Sequence, residues 1–346
     1  MPLLLLLPRR VPAFVLALFA QHAAIAAPPV DRASRNEAVE TLAERMAQHY
    51  VFADTGANAA ASLRRRLAGG AYDGLDDAEG LAARLTTDLQ ELTHDSHAEV
   101  VAMEQALEPD RPLNQVRHPG TIDIDARVRG MDRMMRAVSA RRFGFPDSRR
   151  LAGNVAYVRI DELPEPILAG QALAAEMAAV ADAAALIIDL RENGGGNPDT
   201  VTQLCAYLFD DRPVHLNDQL TRGIGRVLPM WTQPVASDLR FGSRKPVFIL
   251  VGKETFSAGE NLAYTLQALK RATIVGAPTR GGAHGGRGFR LAEHLLASIP
   301  NRQTISAVTH ADWEGKGVQP DVRVDEAKAL ETALALAAKA AVASKR

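Results

Sequence analysis

The sequence holds a single cysteine, Cys205, in 346 residues. One thiol excludes an intrachain disulfide framework and any zinc site built on cysteines. Aromatic residues are scarce, at 5%, so the core has to come mainly from Ala, Leu, Val and Ile. Neither sign of charge is in excess. Lys+Arg 40 against Asp+Glu 41 leaves a formal net charge of −1, without the basic stripe that a nucleic-acid binder needs. No segment beyond the N-terminal thirty residues reaches 18 consecutive apolar residues, so no stable membrane span is expected there. What is present, 47% hydrophobic and 23% charged residues, is the profile of a globular chain.

Residues 1–30 read as an export signal. Arg9 and Arg10 supply positive charge, Val11 to Ala20 is a short apolar run, and Ala24-Ile25-Ala26 is a small-x-small cleavage site. The expectation is a signal peptide over 1–26 and a periplasmic or secreted mature protein. A lone cysteine suits that oxidising destination.

The rest divides into a helical and an α/β part. Val39, Leu42, Met46 and Tyr50 follow helical spacing over Arg35 to Tyr50; a second helix runs from Ala59 to Leu67, and Asp77 caps a third with Leu81, Leu85, Leu89 and Leu92 on one face. These predict an N-terminal helical domain over 31–97. A connecting segment over 98–152 holds a strand at Ala98 to Met103 and a helix around Asp132 to Arg141. From 153 to 346 strands (Val155–Ile160, Ala185–Leu190, Pro246–Val251, Ala272–Val275) alternate with helices (Ile167–Ala183, Pro198–Phe209, Ala258–Leu269), which predicts an α/β layer with parallel pairing. An alanine-rich helix closes the chain from Asp325 to Ser344.

Two strand-to-helix turns concentrate the chemistry. The first, Asp189-Leu-Arg-Glu-Asn-Gly-Gly-Gly196, lets backbone approach a ligand closely and offers N–H groups to an anion or oxyanion. It lacks the G-x-G-x-x-G pattern and a following Gly-Lys-Ser/Thr, which argues against a nucleotide loop. The second, Lys253-Glu-Thr-Phe-Ser-Ala-Gly-Glu260, sets Ser257 at the end of a strand and the start of a helix, as a nucleophile or a helix cap.

The two turns, with Val275-Gly-Ala-Pro-Thr-Arg-Gly-Gly282 and Trp313-Glu-Gly-Lys-Gly-Val-Gln-Pro-Asp-Val322, resemble peptidase family S41 in nearly all of the mature chain. That family includes C-terminal processing proteases, tricorn-type core proteases and interphotoreceptor-retinoid-binding-protein-like proteins. The resemblance implies an N-terminal helical bundle plus a ClpP/crotonase-like ββα core. The chain departs from the processing proteases twice. Residues 97–153 are too few for an inserted PDZ domain, and Gly282 stands where their catalytic lysine would be; Lys253 does not match it.

The tricorn-like branch pairs its serine with a histidine and a glutamate. Ser96-His97-Ala98 resembles its histidine motif and Glu314 falls in its glutamate region. The expected site is therefore Ser257 as nucleophile, His97 as base and Glu314 as orienter, with the Gly195 and Ala258 N–H groups as oxyanion hole. His284 is the rival base. Asp189, Arg191 and Asp321 are expected to be structural. The function so implied is an exported serine-type endopeptidase acting on peptides or unfolded protein, with no cofactor, no metal and no nucleic-acid partner. A non-catalytic binder of hydrophobic ligands or peptides, and a crotonase-like acyl-transfer enzyme, are the alternatives.

Overall fold

The computed structural model of the chain describes residues 28–107 and 124–343. The signal-peptide reading, with Arg9, Arg10 and Ala24–Ala26, lies outside the described residues.

Polar caps and apolar stripes define the first three helices. α1 (Arg32–His49) begins after Asp31, whose carboxylate accepts the Ser34 N–H at 2.7 Å. α2 (Ala53–Ala68) ends at Gly69, and α3 (Ala78–Thr93) starts at the expected cap, Asp77 accepting the Gly80 N–H at 2.7 Å. There follow β1 (Glu99–Ala102), α4 (Ile124–Ala140), β2 (Asp147–Leu151), β3 (Val155–Arg159), α5 (Pro166–Val180), β4 (Ala185–Asp189), α6 (Pro198–Ala206), β5 (His215–Thr221), β6 (Val227–Trp231), β7 (Val247–Val251), α7 (Ala258–Ala268), β8 (Thr273–Gly276), β9 (His284–Ala292), β10 (Leu295–Ser306), β11 (Val322–Arg323) and α8 (Ala329–Ala343). The helix expected around Asp132 starts earlier, at Ile124.

Two sheets result. The first has the order β11-β8-β7-β4-β3-β2, parallel throughout except for β2 at its edge. Its central strands are continuous apolar runs, since both faces are covered. α5, α6 and α7 pack on one face through Leu173, Leu204 and Leu262; α8 covers the other through Ala329, Ala333 and Ala337. The second sheet, β1-β10-β5-β6 with β9 also on β10, is antiparallel. Periodicity in the sequence does not announce it. Its inner face shares a core with the helical bundle: Leu42, Met46 and Leu85 pack with Phe289, Leu295, Ala297 and Ile299. The architecture is thus the expected α/β one, an N-terminal helical bundle plus a sheet core, with the second sheet joining them. Among the described residues no helix is long and apolar enough to cross a membrane.

Candidate active site

Both glycine- and serine-bearing turns leave the same sheet edge, because β4 and β7 are adjacent parallel strands. Carboxyl ends of such strands are where open α/β sheets place their ligands. Asp189 and Arg191 brace the first turn: the guanidinium grips the carboxylate through Nε at 2.9 Å and Nη2 at 2.6 Å, and the Tyr157 hydroxyl donates to it at 2.7 Å. The structural role expected for this pair holds, as it does for Asp321, which accepts the Ile274 N–H at 2.7 Å.

Asn193, fully buried, ties the two turns together. Its side-chain amide donates to the Ile160 carbonyl at 2.9 Å, and its own carbonyl accepts the Phe256 N–H at 2.9 Å. Its Oδ1 accepts the Gly195 N–H at 2.9 Å. This changes the expected oxyanion pair, because the Gly195 donor is engaged inside its own turn. The next residue, Gly196, lines the cleft beside Ser257 and Ala258. Its φ of 145° and the closeness of the Leu163 carbonyl leave no room for a side chain.

Ser257 has φ 52° and ψ −115°, a region costly for a non-glycine residue. Such strain on a strand-to-helix turn is what holds a serine hydroxyl clear of the sheet in nucleophile elbows. What holds the strain is Glu260. This fully buried carboxylate accepts the Ser257 N–H at 2.9 Å, the Thr279 hydroxyl at 2.5 Å, and the Gly281 and Gly282 N–H groups at 2.6 and 2.8 Å. Burial raises its pKa, against the pull of these donors. Thr279 in turn accepts the Val318 N–H at 2.7 Å, and the Trp313 indole donates to the Gly282 carbonyl at 2.8 Å. All four sequence motifs therefore meet at one point.

His97 follows the left-handed C-cap of α3, His94, in a turn where Asp95 accepts the His97 backbone N–H at 3.0 Å. Its ring stacks on Phe256, the residue before the nucleophile, with centroids 4.3 Å apart, and lies over Gly282. A Cβ on Gly282 would stand 2.6 Å from His97 Cε1 and 2.3 Å from Phe256 Cε2. A side chain at 282, a lysine included, would require the His97 and Phe256 rings to move. Burial pushes the His97 pKa down to about 4, so at neutral pH the ring is neutral, with a nitrogen lone pair free of a proton, although burial weakens its hold on one.

His284, also buried, sits among carboxylates. Nδ1 is 2.8 Å from Asp95 and 3.5 Å from Glu314, and Nε2 is 3.8 Å from Asp312. Burial alone would lower its pKa, but Asp312, Asp95 and Glu314 outweigh it and raise it to about 10. A histidine so held is an imidazolium, with no vacancy for a proton. Glu314 accepts the Ala283 and His284 N–H groups at 2.5 and 3.3 Å, and burial with the nearby Asp95 charge raises its pKa to about 7. Asp95, His284 and Glu314 could also converge on a metal ion. A protonated His284 directs its Nδ1–H at Asp95 and has no lone pair there for a metal.

Of the candidates, Ser257, Ala258 and His97 line one cleft, together with Gly196, Gln219, Asn261, Gly282, Arg302, Thr304 and Trp313. Sequence reasoning assigned no role to Glu260, Asn193 or Asp95. For Glu260 a signal existed: Ser-x-x-Glu at a helix start is a capping box. Nothing local marks Asn193 or Asp95, whose partners lie far along the chain.

The sequence model of peptidase family S41 matches residues 154–324, and that of the N-terminal domain of peptidase S41 in eukaryotic IRBP matches residues 29–128. Together they span most of the chain. Among solved structures, a putative peptidase from Parabacteroides merdae is similar at 18% identity and TM-score 0.59, over 88% of this chain and 96% of that one. A lipoprotein from Streptococcus agalactiae is similar at 11% identity and TM-score 0.54, over 93% and 99%. The tricorn protease is similar at 14% identity and TM-score 0.50, over 86% of this chain and 35% of its own. At these identities the structures speak for the fold.

Proposed function

Since the chain belongs to peptidase family S41, we propose that it is a serine-type endopeptidase whose nucleophile is Ser257 and whose base is His97. The observation that carries this reading is the stack of His97 on Phe256 above Gly282. A neutral imidazole fills the space of the missing lysine, in the cleft that Ser257 lines. Ser257 Oγ attacks the substrate carbonyl while His97 takes its proton. The N–H groups of Gly196 and Ala258 stabilise the oxyanion, and His97 then returns the proton to the leaving amine. Water hydrolyses the acyl-enzyme by the same route reversed. Glu314 is the orienting carboxylate of this reading: it adjoins Trp313 and accepts the Ala283 N–H, both in the cleft wall, while its charge faces His284 and not His97; the substrate is a peptide or an unfolded protein segment.

Export to the periplasm or outside the cell is part of the proposal. It rests on Arg9-Arg10 and Ala24-Ile25-Ala26, and N-terminal sequencing of the exported protein is expected to find Ala27 first.

The test of the chemistry is labelling by a fluorophosphonate probe together with peptide hydrolysis. Wild type is expected to label and turn over. Ser257→Ala is expected to do neither while unfolding at an unchanged midpoint. Full hydrolysis by the purified variant would overturn the nucleophile.

A further inference from the structure

The cleft contains one cation whose chemistry the reaction above does not use. Arg302 and Thr304 are two residues apart on β10, on the same face of the sheet, and with Gln219 of β5, the register partner of Thr304, they line the cleft together with Ser257 and Ala258. The Arg302 side chain lies against the backbone of Gly285 in β9. A Cβ there would be 3.2 Å from Nε and 3.3 Å from Nη2, so the missing side chain is what lets the guanidinium lie flat.

Several arginines of the parallel sheet and its flanks hold an acid. Arg191 holds Asp189, Arg159 holds Asp161 and Arg141 holds Glu162. Arg302 forms no ion pair among the described residues. The nearby carboxylates are committed elsewhere: Asp95 and Glu314 face His284, and Asp312 accepts the Gln303 amide at 2.6 Å as well as facing His284. The remaining side chains lining the cleft, apart from neutral His97, carry no titratable group. A half-buried guanidinium with five donors and no internal acid is suited to a carboxylate brought by the substrate.

We propose that Arg302 is a specificity-determining residue of the peptidase just described, and that it binds a carboxylate of the peptide in the cleft. The carboxylate is either the free C-terminus or an Asp or Glu side chain near the scissile bond. This inference rests on the peptidase reading for its turnover test but not for its binding test.

Two matched peptide pairs distinguish the sources: Glu against Gln near the scissile bond with both C-termini amidated, and free acid against amide at the C-terminus with Gln inside. Wild type is expected to favour one carboxylate member by about tenfold or more in kcat/KM, chiefly through KM. The preference should shrink as salt is raised. Arg302→Gln should bring the ratio near one, and Arg302→Glu should turn it toward a peptide with Lys in the same position. The same labelled pairs are titrated by fluorescence anisotropy against Ser257→Ala and against Ser257→Ala with Arg302→Gln. That measurement reads Arg302 whether or not the protein cleaves anything. If Ser257→Ala keeps full hydrolysis, the nucleophile is wrong, yet a Kd ratio that Arg302→Gln abolishes still upholds the carboxylate site. A wild-type ratio near one in both turnover and binding, or one that survives Arg302→Gln in a folded protein, overturns it.

Discussion

The surroundings of His97 and of His284 make the more informative comparison within the molecule. Both rings are buried, at 6% and 4% residual exposure, and only that of His97 lines the cleft. One is packed on Phe256 and Gly282, the other enclosed by Asp95, Asp312 and Glu314. Removal from water penalises the imidazolium in both places. Only around His284 is there enough negative charge to reverse the penalty. Burial therefore does not decide what a histidine can do; the sign of what is buried with it does.

Exchanging the roles of the two residues would break that comparison most directly. His97→Ala is expected to lower kcat/KM by about 10³-fold or more, as loss of a triad member does. His284→Ala is expected to lower it by less than about tenfold. It should instead cost about 3 kcal/mol of stability, because Asp95 and Glu314 lose their counter-charge. Parallel peptide kinetics and urea unfolding on the two variants check both halves, and a catalytic loss at His284 equal to that at His97 would reverse the assignment.

A smaller effect is expected when the seat of His97 is changed and not the ring. Gly282→Ala puts a methyl group into the space of His97 Cε1 and the Phe256 ring. The displaced imidazole should cost about 10²-fold in rate, the order of loss for a misplacement near 1 Å. A crystal structure of the variant should show the ring moved. Full activity with the ring in place would mean that His97 is not held by this contact.

An effect of similar size, and the one that separates the two residues by sign, is in the pH dependence of stability. His97 has a folded pKa near 4, below its unfolded value near 6.5. The unfolded chain binds the proton more readily, so stability is lost as pH falls from about 6.5 through 4, by at most about 3 kcal/mol. His284 has a folded pKa near 10. Its contribution is fully present below about 6.5 and is lost as pH rises toward 10. Urea midpoints across this range should fall at both ends. His97→Ala should flatten only the acid side and His284→Ala only the alkaline side.

How much of this could be read from the sequence differs between the two sheets for a physical reason. β4 and β7 are apolar runs bounded by turns, because both of their faces are covered, and they read plainly. β9 and β10 carry three glycines and Pro300 within the strands, with register shifts at Leu295/Leu296 and Pro300/Arg302, so their alternation is interrupted where the cleft is built. β2 is polar along its length, Asp147-Ser-Arg-Arg-Leu151, as an edge strand can be. In the site, Ser257 and His97 stood out through their local motifs. The acids that position them did not, since Asp95 is joined to His284 and Glu260 to Gly281 only in the folded chain.

The strand that follows His97 has a consequence for how the protein is made. β1 pairs with β10, Glu99 opposite Ser298, so two segments about two hundred residues apart in sequence must meet before His97 takes its place in the cleft that Ser257 lines. Contacts this distant form late, because closing so large a loop precedes any reward for closing it. On the proposed roles of Ser257 and His97, a newly made chain would carry its serine turn on the parallel sheet well before it carried its base. Under that reading, completion of the cleft would be one of the last steps of folding.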